Sequence, residues 1–238
     1  MSDTHLFEKC RAYVTSSANR DPLTRDHLPR PAITLSRQVG ARGTTIGNVL
    51  VERLNAQFPD QELPWTLFHK ALIQRVLDDH QLPTYLERFM TEERVSELQS
   101  TINEIVGLHP SMWELHEKMG DTIVRLLTHG NVVIVGRGGC IVGKGLRNVL
   151  NVRLVGSTQR RSAHLQRLFD LSPKDADKRI ERDDKNRAEY FQARFGRNIE
   201  DPELYHLVIN TDDLSDAEVA RLIGEAATRH TREKYQVA

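Results

Sequence analysis

Between Gly130 and Gly136 the chain runs Asn131-Val132-Val133-Ile134-Val135, with four β-branched apolar residues in succession. Successive side chains of a strand point to opposite sides, so a strand that is apolar at every position has no face to offer water. Such a strand belongs inside a sheet covered on both faces. That requirement selects layered α/β architectures, in which helices cross over between parallel strands.

The rest of the chain supplies the partners. Ala32-Ile33-Thr34-Leu35, Trp65 to Phe68, Asn151 to Val155 and Tyr205 to Asn210 read as further strands, with Arg153 making its strand less apolar. Helical text separates most of them: Thr44 to Gln57, Gln159 to Phe169, Pro173 to Phe195 and Ser215 to Arg229. In the first of these, Ile46, Val49, Leu50 and Leu54 recur at helical spacing and present one face to a sheet. The expected fold class is α/β, a three-layer sandwich around a parallel sheet of about five strands.

A chain of 238 residues fits one domain with an insertion. The expected division is an N-terminal helix and linker over 1–31 and a single domain over 32–238. Within that domain, helical text from Lys70 to His129, broken at Pro83 and at His109-Pro110, reads as an inserted group of roughly three helices. Residues 172–197 read as a charged helical segment suited to a mobile lid.

Composition narrows the function classes. Lys plus Arg and Asp plus Glu both number 33, so no overall field favours nucleic acid or an anionic membrane, and any anion site must be local. The two cysteines, Cys10 and Cys140, form neither a disulfide framework nor a CxxC pair, which fits a reducing cytoplasm. No run of about 18 apolar residues offers a membrane span. The histidines lack a third ligand at metal-binding spacing, and no serine lies in a GxSxG context.

Three constellations point to phosphate. After the first strand comes Ser36-Arg37-Gln38-Val39-Gly40-Ala41-Arg42-Gly43 and then a helix. A tight turn from a buried strand into a helix aims backbone N–H groups and the positive helix end at one point. Gly40 and Gly43 permit close backbone approach, and a β-carbon at 43 is expected to obstruct a phosphate there. Arg37 and Arg42 offer planar, permanently charged forks, while Thr44 or Thr45 offers a hydroxyl to a nucleotide-bound magnesium ion. The strict GxxxxGK[ST] pattern is absent, because no lysine precedes the threonines. The second constellation, Gly136-Arg137-Gly138-Gly139, follows the most apolar strand, where open α/β sheets hold their ligands. The third is a basic stretch: residues 137–197 carry 15 Lys or Arg against 7 Asp or Glu, with Arg179, Arg182, Lys185 and Arg187 clustered.

The segments ITLSRQVGARGTTIG, HGNVVIVGRGG, NVRLVGSTQRRSAHL and DDKNRAEYFQARFG followed by DPELYHLVINTD, in this order, resemble the cytidylate-kinase-like family of P-loop proteins from Ala32 to about Ile223. The resemblance implies a nucleoside-monophosphate-kinase fold using ATP and Mg2+, with the donor over the glycine turn and a nucleotide acceptor beside the Gly-Arg segment. It implies donor contacts from Ser36, Arg37, Gly40, Ala41, Arg42, Gly43, Thr44 and Thr45, with Thr44 as the metal ligand. Acceptor contacts fall to His69, Lys70, Arg137, Arg182, Asp184 and Arg187, and the catalytic cations are Arg42, Arg137 and Arg187.

Three departures accompany the resemblance. Arg42, Gly43, Thr44 and Thr45 stand where the family commonly has glycine, glycine, arginine and glutamate; His69 precedes Lys70 where relatives often have aspartate; and Gly43 stands in place of the loop lysine of true cytidylate kinases. An arginine such as Arg42, or one from the lid, is the expected substitute. Two functions stay open: phosphoryl transfer from ATP to a nucleoside monophosphate or similar small acceptor, and a nucleotide-binding regulatory module without transfer. The expected partners are the nucleotide donor and the small acceptor, not nucleic acid or a membrane.

Overall fold

The structure, a computed structural model, describes residues 30–61, 63–69 and 112–236. The N-terminal helix expected before residue 30, Lys70 and most of the expected insertion lie outside the described residues. Among the described residues, five strands and six helices follow one another: β1 (Ala32–Arg37), α1 (Gly43–Gln57), β2 (Thr66–Phe68), α2 (Met112–His129), β3 (Val132–Val135), α3 (Gly139–Val142), β4 (Val149–Val155), α4 (Thr158–Phe169), α5 (Pro173–Phe195), β5 (Leu207–Asn210) and α6 (Asp216–Gln236). A short 3-10 turn, Pro202–Leu204, precedes β5.

The strands form one sheet in the order β2-β3-β1-β4-β5, and every described pairing is parallel. The apolar run of β3 lies between β2 and β1, and all four of its residues are buried. One face of the sheet carries the main apolar core. Ile33 and Leu35 of β1, Val133 and Val135 of β3 and Leu150, Val152 and Leu154 of β4 pack with Ile46, Leu50 and Leu54 of α1 and Val219, Ala220 and Ile223 of α6. The periodicity of α1 therefore buries the stripe that its sequence marks out.

The other face is mixed. Register pairs Thr34 with Asn151 and Ser36 with Arg153, and these four polar residues are buried. Thr34 Oγ1 donates to Asn151 Oδ1 at 2.6 Å, which explains an asparagine inside a strand that begins two residues earlier than its sequence indicates. This face is covered in part by α3, where a β-carbon on Gly139 would touch Thr34 and Ile134.

Local signals end the helices. Ser157 and Ser172 cap α4 and α5 by accepting from Arg160 N and Asp175 N, Pro173 opens α5, and Gly196 closes it in the left-handed conformation. Ser215 and Glu218 form a reciprocal capping box ahead of α6 (2.8 and 3.2 Å). No helix among the described residues is long and apolar enough to cross a membrane.

Candidate functional site

Because the strands are parallel, their carboxyl ends share one edge of the sheet. There the chain leaves β1 through α1 toward β2, and leaves β4 toward β5 on the opposite side. Connections that diverge in this way open a crevice at the edge.

The glycine turn forms one wall. Two of its residues lie in the left-handed region, Gly40 at φ +80° and Arg42 at φ +59°. Gly43 has no positive φ; a β-carbon there would meet the stem of Arg37, at 3.0 Å from Cγ and 3.2 Å from Cβ. The constrained position is Gly40, whose β-carbon would fall 2.6 Å from the carbonyl oxygen of Arg161.

The turn is clamped from α4 and α5. Val39 N–H donates to Asp184 Oδ1 at 2.8 Å, while Arg161 Nη1 donates to Val39 O at 3.0 Å and to Asp184 Oδ2 at 2.6 Å. Arg161 Nε donates to Gly156 O at 3.0 Å, and Gly156 N–H donates to the Gln38 side chain at 3.1 Å. A buried guanidinium thus meets oxygen acceptors along several of its edges.

Arg42 turns away from the cleft described below. Its Nη2 donates to Thr211 O and to Leu214 O (2.7 Å), and Nη1 pairs with Asp216 Oδ1 at 2.8 Å. This guanidinium ties the start of α1 to the β5–α6 connection. Thr44 and Thr45 are exposed on the first turn of α1.

Arg37, Arg137 and Arg187 line one cleft at the sheet edge, together with Ser36, Tyr190 and Phe191; among the described residues no carboxylate lines it. Arg137 sits between Gly136 and Gly138 in a run of three left-handed residues (φ +79°, +57° and +67°). For an arginine that conformation costs on the order of 1 kcal/mol, a strain found preferentially at functional sites. Arg187 Nη1 donates to Arg37 O at 3.4 Å, so α5 reaches the end of β1.

Beneath the cleft is a buried polar network. Arg153 Nη1 donates to Ser36 Oγ at 3.2 Å and Nη2 to Glu200 at 2.8 Å. The Tyr205 hydroxyl donates to Ile199 O at 2.7 Å. Burial pushes the Tyr205 hydroxyl up to about 12 and the Cys140 thiol up to about 11. Both exceed their ordinary values, so above about pH 9 the unfolded chain releases protons that the folded one retains. Their stabilising effect is complete below the ordinary values and is lost as pH rises through the folded ones. Unfolding stability is therefore expected to fall by up to about 1.4 kcal/mol per pH unit for Cys140 over its window. Cys140→Ala should flatten the pH dependence of the urea midpoint between about pH 9 and about pH 11; identical slopes in variant and parent would contradict the assignment.

Of the residues expected at the site, Ser36, Arg37, Arg137 and Arg187 come together in the cleft, with Gly40 to Thr45 beside it. Asp184 serves the turn rather than the cleft lining. Arg182 donates to Asp183 at 2.8 Å and is largely exposed, and His69 follows β2 two strands from β1. Arg161, Arg153 and Tyr205 lie in or beneath the site without a sequence motif that marks them. For Arg153, the charge in an apolar strand was the available signal.

Residues 32–213 match the family model described as cytidylate kinase-like. The chain belongs to the cytidylate kinase-like family. The turn, the Gly-Arg segment and α5 of this cytidylate kinase-like chain all fall within the matched region. Among solved structures, an uncharacterized protein from Eubacterium ventriosum is similar at 17% identity, over 84% of this chain and 99% of that one, with a TM-score of 0.62. A shikimate kinase from Bacteroides thetaiotaomicron aligns at 16% identity over 87% and 98% of the two chains, with a TM-score of 0.40. The first of these supports the fold. No curated protein matches the chain.

Proposed function

We propose that this protein transfers the γ-phosphoryl group of ATP to the phosphate of a nucleoside monophosphate or a similar small anion. The observation that carries the reading is that the glycine turn and the three-arginine cleft adjoin at one edge of the sheet. Two phosphate-bearing ligands bound there would meet head to head.

In this reading the turn from Gly40 to Thr45 and the start of α1 hold the donor phosphates. Arg137 and Arg187 hold the acceptor phosphate in the cleft they line, and His69 is the proposed contact to the acceptor base. An acceptor phosphate oxygen attacks the γ-phosphorus, the bond to the β–γ bridging oxygen breaks, and ADP leaves with that oxygen. A phosphate monoester with a second pKa near about 6 is largely dianionic at neutral pH, so its oxygen needs no general base. A cleft that no carboxylate lines among the described residues suits that chemistry.

The described residues contain no cluster of three or more His, Cys, Asp or Glu able to hold a metal, whereas Thr44 places an exposed hydroxyl at the helix start. That arrangement fits a magnesium ion held mainly by the donor phosphates, with Thr44 as the protein ligand; such an ion would neutralise charge on the transferring group.

Turnover with CMP, dCMP, UMP, AMP and GMP, followed by ADP release, tests the reading; no ADP with any acceptor would count heavily against it. Mg-ATP binding without turnover would favour the regulatory-module alternative, which Gly43 in place of lysine motivates. Arg137→Ala is expected to raise the acceptor KM at least about tenfold with the ATP KM nearly unchanged. Unaltered acceptor kinetics would remove Arg137 from the site.

A further inference from the structure

We infer that Arg37 supplies, from the end of β1, the charge that a lysine at position 43 supplies in a standard phosphate-binding loop. The inference rests on the phosphotransfer reading above and assigns one residue within it.

The loop pattern places its lysine directly before the Ser or Thr that meets the metal, where its ammonium reaches the β- and γ-phosphates. Thr44 occupies the hydroxyl position, so Gly43 occupies the lysine position. Arg42, in the left-handed conformation, occupies the position of the glycine before it. A side chain leaving residue 43 would start along a definite line. The three nearest atoms to that starting point all belong to Arg37: Cγ at 3.0 Å, Cβ at 3.2 Å and Cδ at 3.4 Å. Glycine at 43 is therefore the residue that makes room for the Arg37 stem.

The same residue lines the cleft with Arg137 and Arg187. Arg37 therefore belongs to both walls, beside the turn on one side and among the acceptor arginines on the other. A group passing from donor to acceptor has to cross that boundary. Arg42, the other arginine near the turn, is engaged by Thr211 O, Leu214 O and Asp216. A guanidinium also offers two parallel donors to two oxygens of one phosphoryl group, where an ammonium acts as a point charge.

The test is an exchange of positions. Arg37→Gln keeps most of the stem that packs on Gly43 and removes the charge. It is expected to weaken Mg-ATP binding, measured by calorimetry, at least about tenfold, with a smaller effect on Mg-ADP. Combining Gly43→Lys with Arg37→Ala, which clears the Cγ and Cδ atoms from the path of the new side chain, should restore Mg-ATP affinity to within about threefold of the parent. Gly43→Lys alone, with Arg37 in its path, should give no gain. Unfolding curves identify a variant that fails to fold, and Arg37→Lys then repeats the test with a shorter charged stem and partial retention expected. If Arg37→Gln binds Mg-ATP as the parent does, or the added lysine rescues nothing, the assignment is wrong while the phosphotransfer reading stands. A parent protein that binds no nucleotide overturns both.

Discussion

Replacing Gly40 by valine is expected to lower Mg-ATP affinity at least about a hundredfold, roughly 2.8 kcal/mol. Two independent penalties act at this residue. Its φ of +80° is a conformation that β-branched residues scarcely adopt. Its β-carbon would also lie 2.6 Å from the backbone oxygen of Arg161 and 2.9 Å from the Arg161 β-carbon. Arg161 cannot simply retreat, because Val39 O, Gly156 O and Asp184 hold its guanidinium. The turn must open instead, and N–H groups that converge on a phosphate would diverge. Folding should survive at reduced stability, since the core between the sheet, α1 and α6 is untouched. Gly43→Ala is the comparison: its nearest neighbours are atoms of a flexible arginine stem, so its effect should stay below about tenfold. Calorimetry on both folded variants checks the order. A Gly43→Ala loss larger than that of Gly40→Val would mean the turn binds in another way.

The contrast between these two glycines marks how far the sequence could be read. The strand β3 was legible because burial on both faces leaves its imprint on consecutive residues, and α1 because burial on one face leaves it at helical spacing. Both are local consequences of a layer. The helix α3, only four residues long, follows a run of left-handed residues and has no room for a periodic pattern. Within the turn, Gly40 and Gly43 look alike as punctuation, and nothing in the sequence marks Arg42 as left-handed. Which of them carries the positive φ depends on where β1 must deliver the chain to α1.

The side chains are less legible still, because their partners are remote. Arg42 and Arg37 are neighbours on the same turn, and either is a reasonable candidate for a phosphate. The carbonyls that draw Arg42 away belong to residues 169 and 172 positions further along. Asp184 reaches the turn across 145 positions. Arg153 reads as a flaw in its strand, yet register sets it opposite Ser36, where it joins the cleft wall to Glu200. A charge tolerated inside a sheet reports a partner without saying which one.

The second large effect is expected at Asp184. This carboxylate accepts from Val39 N–H with one oxygen and from Arg161 with the other, joining α5, α4 and the turn. The Arg161 side chain is 8% exposed and that of Asp184 is 28% exposed, so the pair is only partly sheltered from solvent. Removing one partner of a fully buried pair costs about 3–5 kcal/mol, because the remaining charge is left without compensation. Partial exposure of Asp184 and the two carbonyls that Arg161 keeps reduce the expectation for Asp184→Ala to roughly 2–3 kcal/mol. In a domain of this size that corresponds to a fall in Tm of about 4–12 °C. Asp184→Asn retains an acceptor for Val39 N–H and should lose less. Replacing Arg161 by methionine as well should recover part of the loss, since the stranded charge is then gone; a double-mutant cycle reads this as a coupling of about 1–3 kcal/mol. Strict additivity in the cycle, or a parent-like urea midpoint for Asp184→Ala, would show that the turn stands without the clasp. Asp184 would then be available to a ligand, as the family resemblance implies.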